Sequence, residues 1–291
     1  MIKTRFKATQ KSSLKLKGVV ILYHKNCTDG FSGAWAAFQK FGGRASYVPI
    51  EHNTPPPAGL TGREVYMIDI AYDVPVMKEL IRNNRRVTAI DHHISRKAEV
   101  ALTYKPLFSN GHSGAVLAWM YFFPEKPAPR LLRHVEDVDI WKFKLPYTRE
   151  VSAILDLADF DFAIWSKLVR DFEKPSLRRK HIADGKLLLK YQNSLIERLV
   201  RHNAQLVNFM GIKTLAVNSP NFESEIGNVL RSKLPPMGIV WREKGDRRTF
   251  SLRSDSSCDV SKLAGKFGGG GHKRSAGFGM PLSAKLPWKR L

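Results

Sequence analysis

Three short apolar runs, each running into a polar or charged residue, set the rhythm of the first hundred residues. They are VVILY at 19–23, EVYMIDI at 64–70 and RVTAI at 86–90. All are rich in β-branched residues and too short for helices, which predicts strands buried in a sheet. Between them the spacing changes. In FSGAWAAFQKFGG, Phe31, Trp35 and Phe38 are four and three apart, the apolar face of a helix that Gly42 and Gly43 end. VPVMKELIRNN at 74–84 reads as a second helix with Pro75 in its first turn, and EHNTPPPAGLTG at 51–62 reads as a loop. Strand, helix, strand, helix, strand predicts an α/β fold with a parallel sheet. Residues 113–123 and 129–141 read as further helices, with Ser113 as N-cap of the first.

From 176 to 208 the pattern is charged and helical throughout, as in LLLKYQNSLIERLVRHNAQLV. Strands are predicted again at 212–218, 237–243 and 248–254. FESEIGNVLRSK and DVSKLAGKFG read as helices, and a glycine-rich string, GGGGHKRSAGF, follows. The expected architecture is two α/β domains. The N-terminal one, at 18–175, holds the parallel sheet, and a connecting helix at 176–208 leads to a smaller C-terminal α/β domain at 209–291. Residues 1–17, with six Lys/Arg and no acid, read as a basic flexible arm.

Composition narrows the function class. With 48 Lys+Arg against 26 Asp+Glu, the net charge of +22 calls for a polyanionic partner, nucleic acid first among them. No run of about 18 apolar residues is present, so no membrane-spanning helix is expected. The N-terminus lacks the apolar core of a secretory signal. Two cysteines, Cys27 and Cys258, form no CxxC pair, which fits a reducing, cytoplasmic setting.

In a parallel α/β sheet, ligands bind outside the carboxyl ends of the strands. The first predicted strand runs into His24, Asn26, Cys27 and Asp29, the second into Asp69, and the third into Asp91, His92 and His93. Carboxylates and imidazoles on one rim suit divalent Mn²⁺, Mg²⁺ or Zn²⁺. Imidazole ligands in such a set need carboxylate acceptors behind them, and Asp73 and Asp91 are candidates. His52, His112, His134, His181 and His202 have no motif around them and read as surface or satisfied polar residues. Glu136 reads as a helix-surface charge, and Trp241 and Phe278 as candidate base-stacking platforms.

HKNCTDG, IDIAYD, IDHHIS, VEDVDIW and GGGGHKRSAGF, in that order across residues 19–280, resemble the motifs of the DHH phosphoesterases that carry a C-terminal DHHA1 domain. The resemblance, within the oligoribonuclease and single-strand exonuclease superfamily, implies cleavage of phosphodiester or phosphoanhydride bonds with two divalent cations, usually Mn²⁺. It implies that Asp69 bridges the metals, that His24, Asp29 and His92 are ligands, that Asp91 orients the pair and that His93 contacts phosphate. Asp137 resembles the last metal carboxylate, with Asp139 its competitor. In the second domain, Gly269, Gly270, Gly271, His272 and Arg274 resemble the substrate loop, and Arg253 the basic residue beside it. One departure stands out. The family pattern has two aspartates one residue apart, whereas Cys27 and Thr28 precede Asp29 here, leaving Asn26 or Cys27 to substitute. The expected activity is hydrolysis of short oligonucleotides or dinucleotides. The alternative is a nucleic-acid-binding protein of the same fold with weakened or no catalysis. Short RNA, DNA or a nucleotide is the expected partner, with no membrane, and a homodimer is compatible with the sequence.

Overall fold

The first sheet is entirely parallel. Its strands are β1 (Val19–His24), β2 (Ala45–Ile50), β3 (Glu64–Ile68), β4 (Arg86–Asp91) and β5 (Leu107–Phe108), in spatial order β2-β1-β3-β4-β5. These come from a computed structural model that describes residues 16–52 and 54–291, so residues 1–15 of the inferred basic arm lie outside the described residues. The chain divides into two compact units, Met1–Leu189 and Lys190–Leu291.

Around the first sheet lie α1 (Thr28–Phe41), α2 (Val74–Asn83), α3 (Lys97–Ala101), α4 (Gly114–Phe122), α5 (Arg130–Asp139), α6 (Thr148–Leu155) and α7 (Phe162–Glu173). The apolar runs are buried on both faces, as parallel strands require. Val20, Leu22, Val65, Met67 and Ala89 join Met77 and Leu80 of α2 in one core cluster. Ile21, Ile68 and Ile90 point the other way, against Ala34 and Ala37 of α1 and Leu117 of α4. A third cluster, built from Phe31, Trp35, Leu131, Leu132, Val135, Trp165 and Phe172, ties α1 to α5 and α7. Trp165 is fully buried there, and its indole N–H donates to Ser32 Oγ at 3.0 Å. Trp165→Ala is expected to lower stability by about 3–5 kcal/mol, read from the urea midpoint.

β2 has no counterpart in the apolar pattern because Pro49 interrupts it. Pro49 is tolerated because β2 is an edge strand. β3 stops at Ile68, two residues earlier than the pattern suggests, because Asp69 takes a positive φ of 59° and leaves the strand.

The unit boundary falls inside α8 (Pro175–Asn203), which is shorter than the helix expected at 176–208. Strand β6 (Gln205–Phe209) replaces its end. It pairs antiparallel with β7 (Ile212–Asn218) across a two-residue turn, Met210-Gly211, with φ of 55° and 87°. That is the geometry of a primed hairpin turn. The second sheet continues with β8 (Met237–Lys244), β9 (Arg247–Ser254), β10 (Gly270–His272), β11 (Ser275–Pro281) and β12 (Lys289–Arg290), in order β10-β11-β9-β8-β7-β6-β12. Only β7 and β8 pair in parallel, connected by α9 (Glu223–Lys233); α10 (Val260–Gly265) packs against β10 and β11. No helix among the described residues is long and apolar enough to cross a membrane.

Candidate metal centre

The strand order reverses between β1 and β3, and the donors gather at the carboxyl ends of β1, β3 and β4, where doubly wound sheets bind ligands. Asp69 is the hub. Its Oδ2 faces His24 Nδ1 at 3.3 Å and Cys27 Sγ at 3.4 Å. Its Oδ1 faces His92 Nε2 at 3.3 Å and His93 Nδ1 at 3.7 Å. A third set joins His92 Nε2 to Asp139 Oδ2 at 3.4 Å and Asp29 Oδ2 at 4.0 Å. Each set is compact enough to hold a metal ion.

Local structure explains how each donor is aimed. Cys27 caps α1, its sulfur accepting from the Gly30 N–H, so Asp29 enters the first turn, where a carboxylate is favoured. Asp29 is buried and accepts from the Gly114 and Ala115 N–H groups at 2.7 and 3.0 Å, which fastens α1 to the start of α4. Gly114 is required for that approach, because a Cβ there would lie 2.8 Å from Asp69 Cβ and 2.9 Å from Asp29 Oδ2. Asp91 Oδ1 accepts from the His92 and His93 N–H groups at 2.6 and 3.1 Å and pairs with His93 Nδ1 at 2.7 Å.

The electrostatics call for a cation. Asp69 Oδ1, Asp91 Oδ2 and His92 Nε2 are buried without a hydrogen-bond partner, which is costly in a dry site. Burial, with the charges of Asp139 and Asp69, pushes the Asp29 carboxyl well above its ordinary value. Burial and the charge of Asp69 raise Asp139 to about 6. Burial also opposes ionisation of Asp69, but the neighbouring imidazoles of His24 and His92 outweigh it and hold its carboxyl below the usual range. His92 rises to about 9, the pull of Asp69, Asp139 and Asp29 exceeding the effect of burial. The hydrogen bond to Asp91 raises His93 against its burial. The oxygen and nitrogen donors of the cluster fit a divalent ion.

Asp137, placed among the ligands by the resemblance, is not in the cluster. Its oxygens accept from the Lys144 and Leu145 N–H groups at 2.8 and 3.0 Å and from the Thr148 hydroxyl at 2.6 Å, so it pins the loop after α5. Asp139 takes the place beside His92. Of the two substitutes open in the first motif, Cys27 stands in a donor set, with His24 and Asp69. Asp73 pairs with Arg96 and supports no imidazole. Glu136 is held by the Ser113 N–H at 3.1 Å and by His112 at 2.9 Å, so it is no free surface charge. His52, which carries no sequence motif, packs against His24 with ring centroids 4.4 Å apart and planes tilted by 56°. Burial, with the charges of His24 and His93, lowers its pKa. Only a histidine just past a strand end hinted at it.

In the second unit the glycine run is not an open loop. Gly270, Gly271 and His272 form edge strand β10, paired with Gly277, Ala276 and Ser275, and Lys273-Arg274 is the turn. His272 and Arg274 are exposed. Gly269 precedes the strand, its N–H donating to the Ala264 carbonyl. Arg253, half-buried on β9, donates to Ser224 Oγ at 2.8 Å and to the Leu252 carbonyl at 3.0 Å. Phe278 is closed to any base, since it is buried and stacks on Phe267 and Phe250 at 4.4 and 4.6 Å.

No family model matches the sequence. The uncharacterized protein R106 of Acanthamoeba polyphaga mimivirus is 29% identical over 300 residues, covering 94% of this chain and 70% of that protein. Among solved structures, an exopolyphosphatase-related protein from Bacteroides fragilis shares the fold: TM-score 0.50, 12% identity, 93% of this chain and 88% of that one. A pGpG-specific phosphodiesterase, PggH from Vibrio cholerae, aligns at a TM-score of 0.48 and 11% identity over 92% of this chain and 94% of that one.

Proposed function

We propose that this protein is a divalent-cation-dependent phosphodiesterase acting on short oligonucleotides or dinucleotides. The observation that carries the reading is Asp69, whose two oxygens each belong to a separate donor set, with three buried polar atoms around them left unpartnered. Asp69 with His24 and Cys27 is one candidate cation position; the other centres on His92, which stands between Asp69 Oδ1 and the carboxylates of Asp29 and Asp139. Divalent cations held there supply Lewis-acid stabilisation of phosphoryl oxygens and a water of lowered pKa.

The remaining roles belong to the chain itself. Asp91 fixes the Nδ1 side of His93, which leaves Nε2 for a substrate phosphoryl oxygen. Gly114 and the first amides of α4 hold Asp29 in position. The net charge of +22 favours a polyanionic substrate over a single small phosphate. The fold is shared with a protein described as exopolyphosphatase-related, in keeping with phosphate chemistry. Cys27 favours a second reading, a binder with little catalysis, because a thiol stands where the family pattern has a carboxylate.

Purified protein incubated with a labelled dinucleotide, a five-residue RNA and single-stranded DNA is expected to give product with Mn²⁺, none with EDTA and none from His92→Ala. Tight binding with no cation-dependent product on any of the three would leave only the binder. Adding Mn²⁺ to chelated protein is also expected to raise the melting temperature. A cation at about 100 times its Kd stabilises by about 2.7 kcal/mol, or roughly 5–10 °C for a chain of this size. An unmoved transition would mean the cluster holds no cation.

A further inference from the structure

A cavity of about 440 Å³ opens on the first unit, lined by none of the metal-centre donors. Four arginines reach it, Arg130 and Arg133 from α5 and Arg178 and Arg179 from α8, with His134 and no carboxylate in the lining. Arg130 is paired with Glu173 at 3.4 Å, and Arg178 donates to the Phe172 carbonyl at 2.7 Å. The guanidinium groups of Arg133 and Arg179 have no hydrogen-bond or ion-pair partner among the described residues.

Their placement runs against helix electrostatics. The N-terminal end of a helix carries partial positive charge and favours acids. Yet the first turns of α5 and α8 hold no acidic residue; at the start of α5 Glu173 accepts from the Arg130 N–H at 2.8 Å and pairs with its guanidinium, which leaves Arg133 uncompensated. Arginines at two helix starts, around one hollow, repel each other and the helix dipoles. An anion in the hollow removes both penalties at once.

The rest of the lining is apolar and aromatic. Leu145, Tyr147 and Ile182 form a wall. Tyr147 is held at a positive φ of 67° and is 47% exposed, and Lys186 Nζ lies 4.9 Å from its ring centroid. The Thr148 hydroxyl donates to Asp137, so the same oxygen accepts from His134 Nδ1 at 2.9 Å. That leaves His134 Nε2 as an acceptor, suited to a sugar hydroxyl or a base N–H. Burial and the charges of the neighbouring arginines keep this imidazole neutral against the pull of Asp137.

We propose that this cavity binds a nucleoside phosphate, with the phosphates on Arg133 and Arg179 and the nucleoside against Leu145, Tyr147 and Ile182. The volume lies within the range of small-molecule sites, and guanidinium pairs are the usual phosphate grip. The inference does not depend on the phosphodiesterase reading.

The test uses the full chain carrying His92→Ala, in EDTA, so that the metal centre neither holds nor hydrolyses the probe. ADP, adenosine and inorganic phosphate are titrated by calorimetry. ADP is expected to bind one site per chain, and more tightly than either adenosine or phosphate. Adding Arg133→Ala with Arg179→Ala is expected to weaken ADP at least tenfold. A charge-matched control, Lys78→Ala with Arg82→Ala on α2, is expected to leave it unchanged. Both arginines are exposed, so the double variant should fold, and relief of the helix-end repulsion should leave its melting temperature equal or higher. The proposal is overturned if ADP does not bind, if the arginine variant binds it undiminished, or if the control loses as much. Phosphate binding as tightly as ADP would overturn the nucleoside half.

Discussion

Asp69→Asn is expected to abolish cation-dependent hydrolysis while leaving the fold intact. The substitution suits the backbone. Asp69 sits at a φ of 59°, a region that Asp, Asn and Gly enter at little cost, whereas Ala or Glu there would add strain to the chemical change. Asn keeps the shape but removes the charge and replaces one of the two oxygens with an NH₂ donor. Whichever way the amide turns, one donor set, His24 with Cys27 or His92 with His93, faces an N–H group in place of an oxygen anion. A residue that belongs to both sets weakens both when it changes. The expected loss in kcat/KM is about 10³-fold or more, which is about 4 kcal/mol of transition-state stabilisation. The rise in melting temperature on adding Mn²⁺ should vanish with it, while the metal-free transition moves little. A variant that kept both the activity and the Mn²⁺ response would remove Asp69 from the centre of the site.

The parts of the molecule that could be read from sequence are those governed by burial. The runs at 19–23, 64–70 and 86–90 read as interior strands because a parallel sheet covered on both faces needs continuous apolar residues. Once those strands were placed, the rim rule drew attention to His24, Asp29, Asp69, Asp91, His92 and His93. What escaped was set by local geometry that hydrophobic periodicity does not encode. Pro49 hid an edge strand. Met210-Gly211 hid a hairpin turn that an Asn-Gly pair would have announced. Gly277 and Gly279 hid β11, because glycine is depleted in strands. His52 lies just past β2, in a stretch with no period at all. Arg178, Arg179 and Lys180 stand inside a helix charged throughout, and only the fold brings the two arginines beside those of α5.

Asp137 and Asp139 could not be told apart in the sequence, since both stand in one motif at the end of one helix. Two residues turn an α-helix by about 200°, so the two carboxylates face nearly opposite ways and only one can meet His92. The pair therefore makes the sharpest contrast in the molecule. Asp139→Asn is expected to cost activity and cation affinity, about 100-fold in kcat/KM, with the metal-free fold unharmed or stabilised, because a carboxyl under like-charge repulsion from Asp69 is relieved. Asp137→Ala is expected to do the reverse. It strips the acceptor from Lys144 N–H, Leu145 N–H and Thr148 Oγ, a loss of about 3 kcal/mol or more. The loop it pins holds Trp141, Phe143 and Tyr147 at positive φ of 55°, 47° and 67°, conformations that persist only when their surroundings enforce them. The acid limb carries a second signature. Burial raises the Asp137 pKa, but the Thr148, Lys144 and Leu145 bonds outweigh it and hold it below the ordinary carboxylate value. The stabilisation is therefore complete above about pH 4 and is lost as pH falls through the lowered folded-state value. Asp137→Ala should flatten that limb in a pH series of urea midpoints, and Asp139→Asn should not. If instead Asp137→Ala lost its response to Mn²⁺ with stability unchanged, the assignment of the two carboxylates would have to be exchanged.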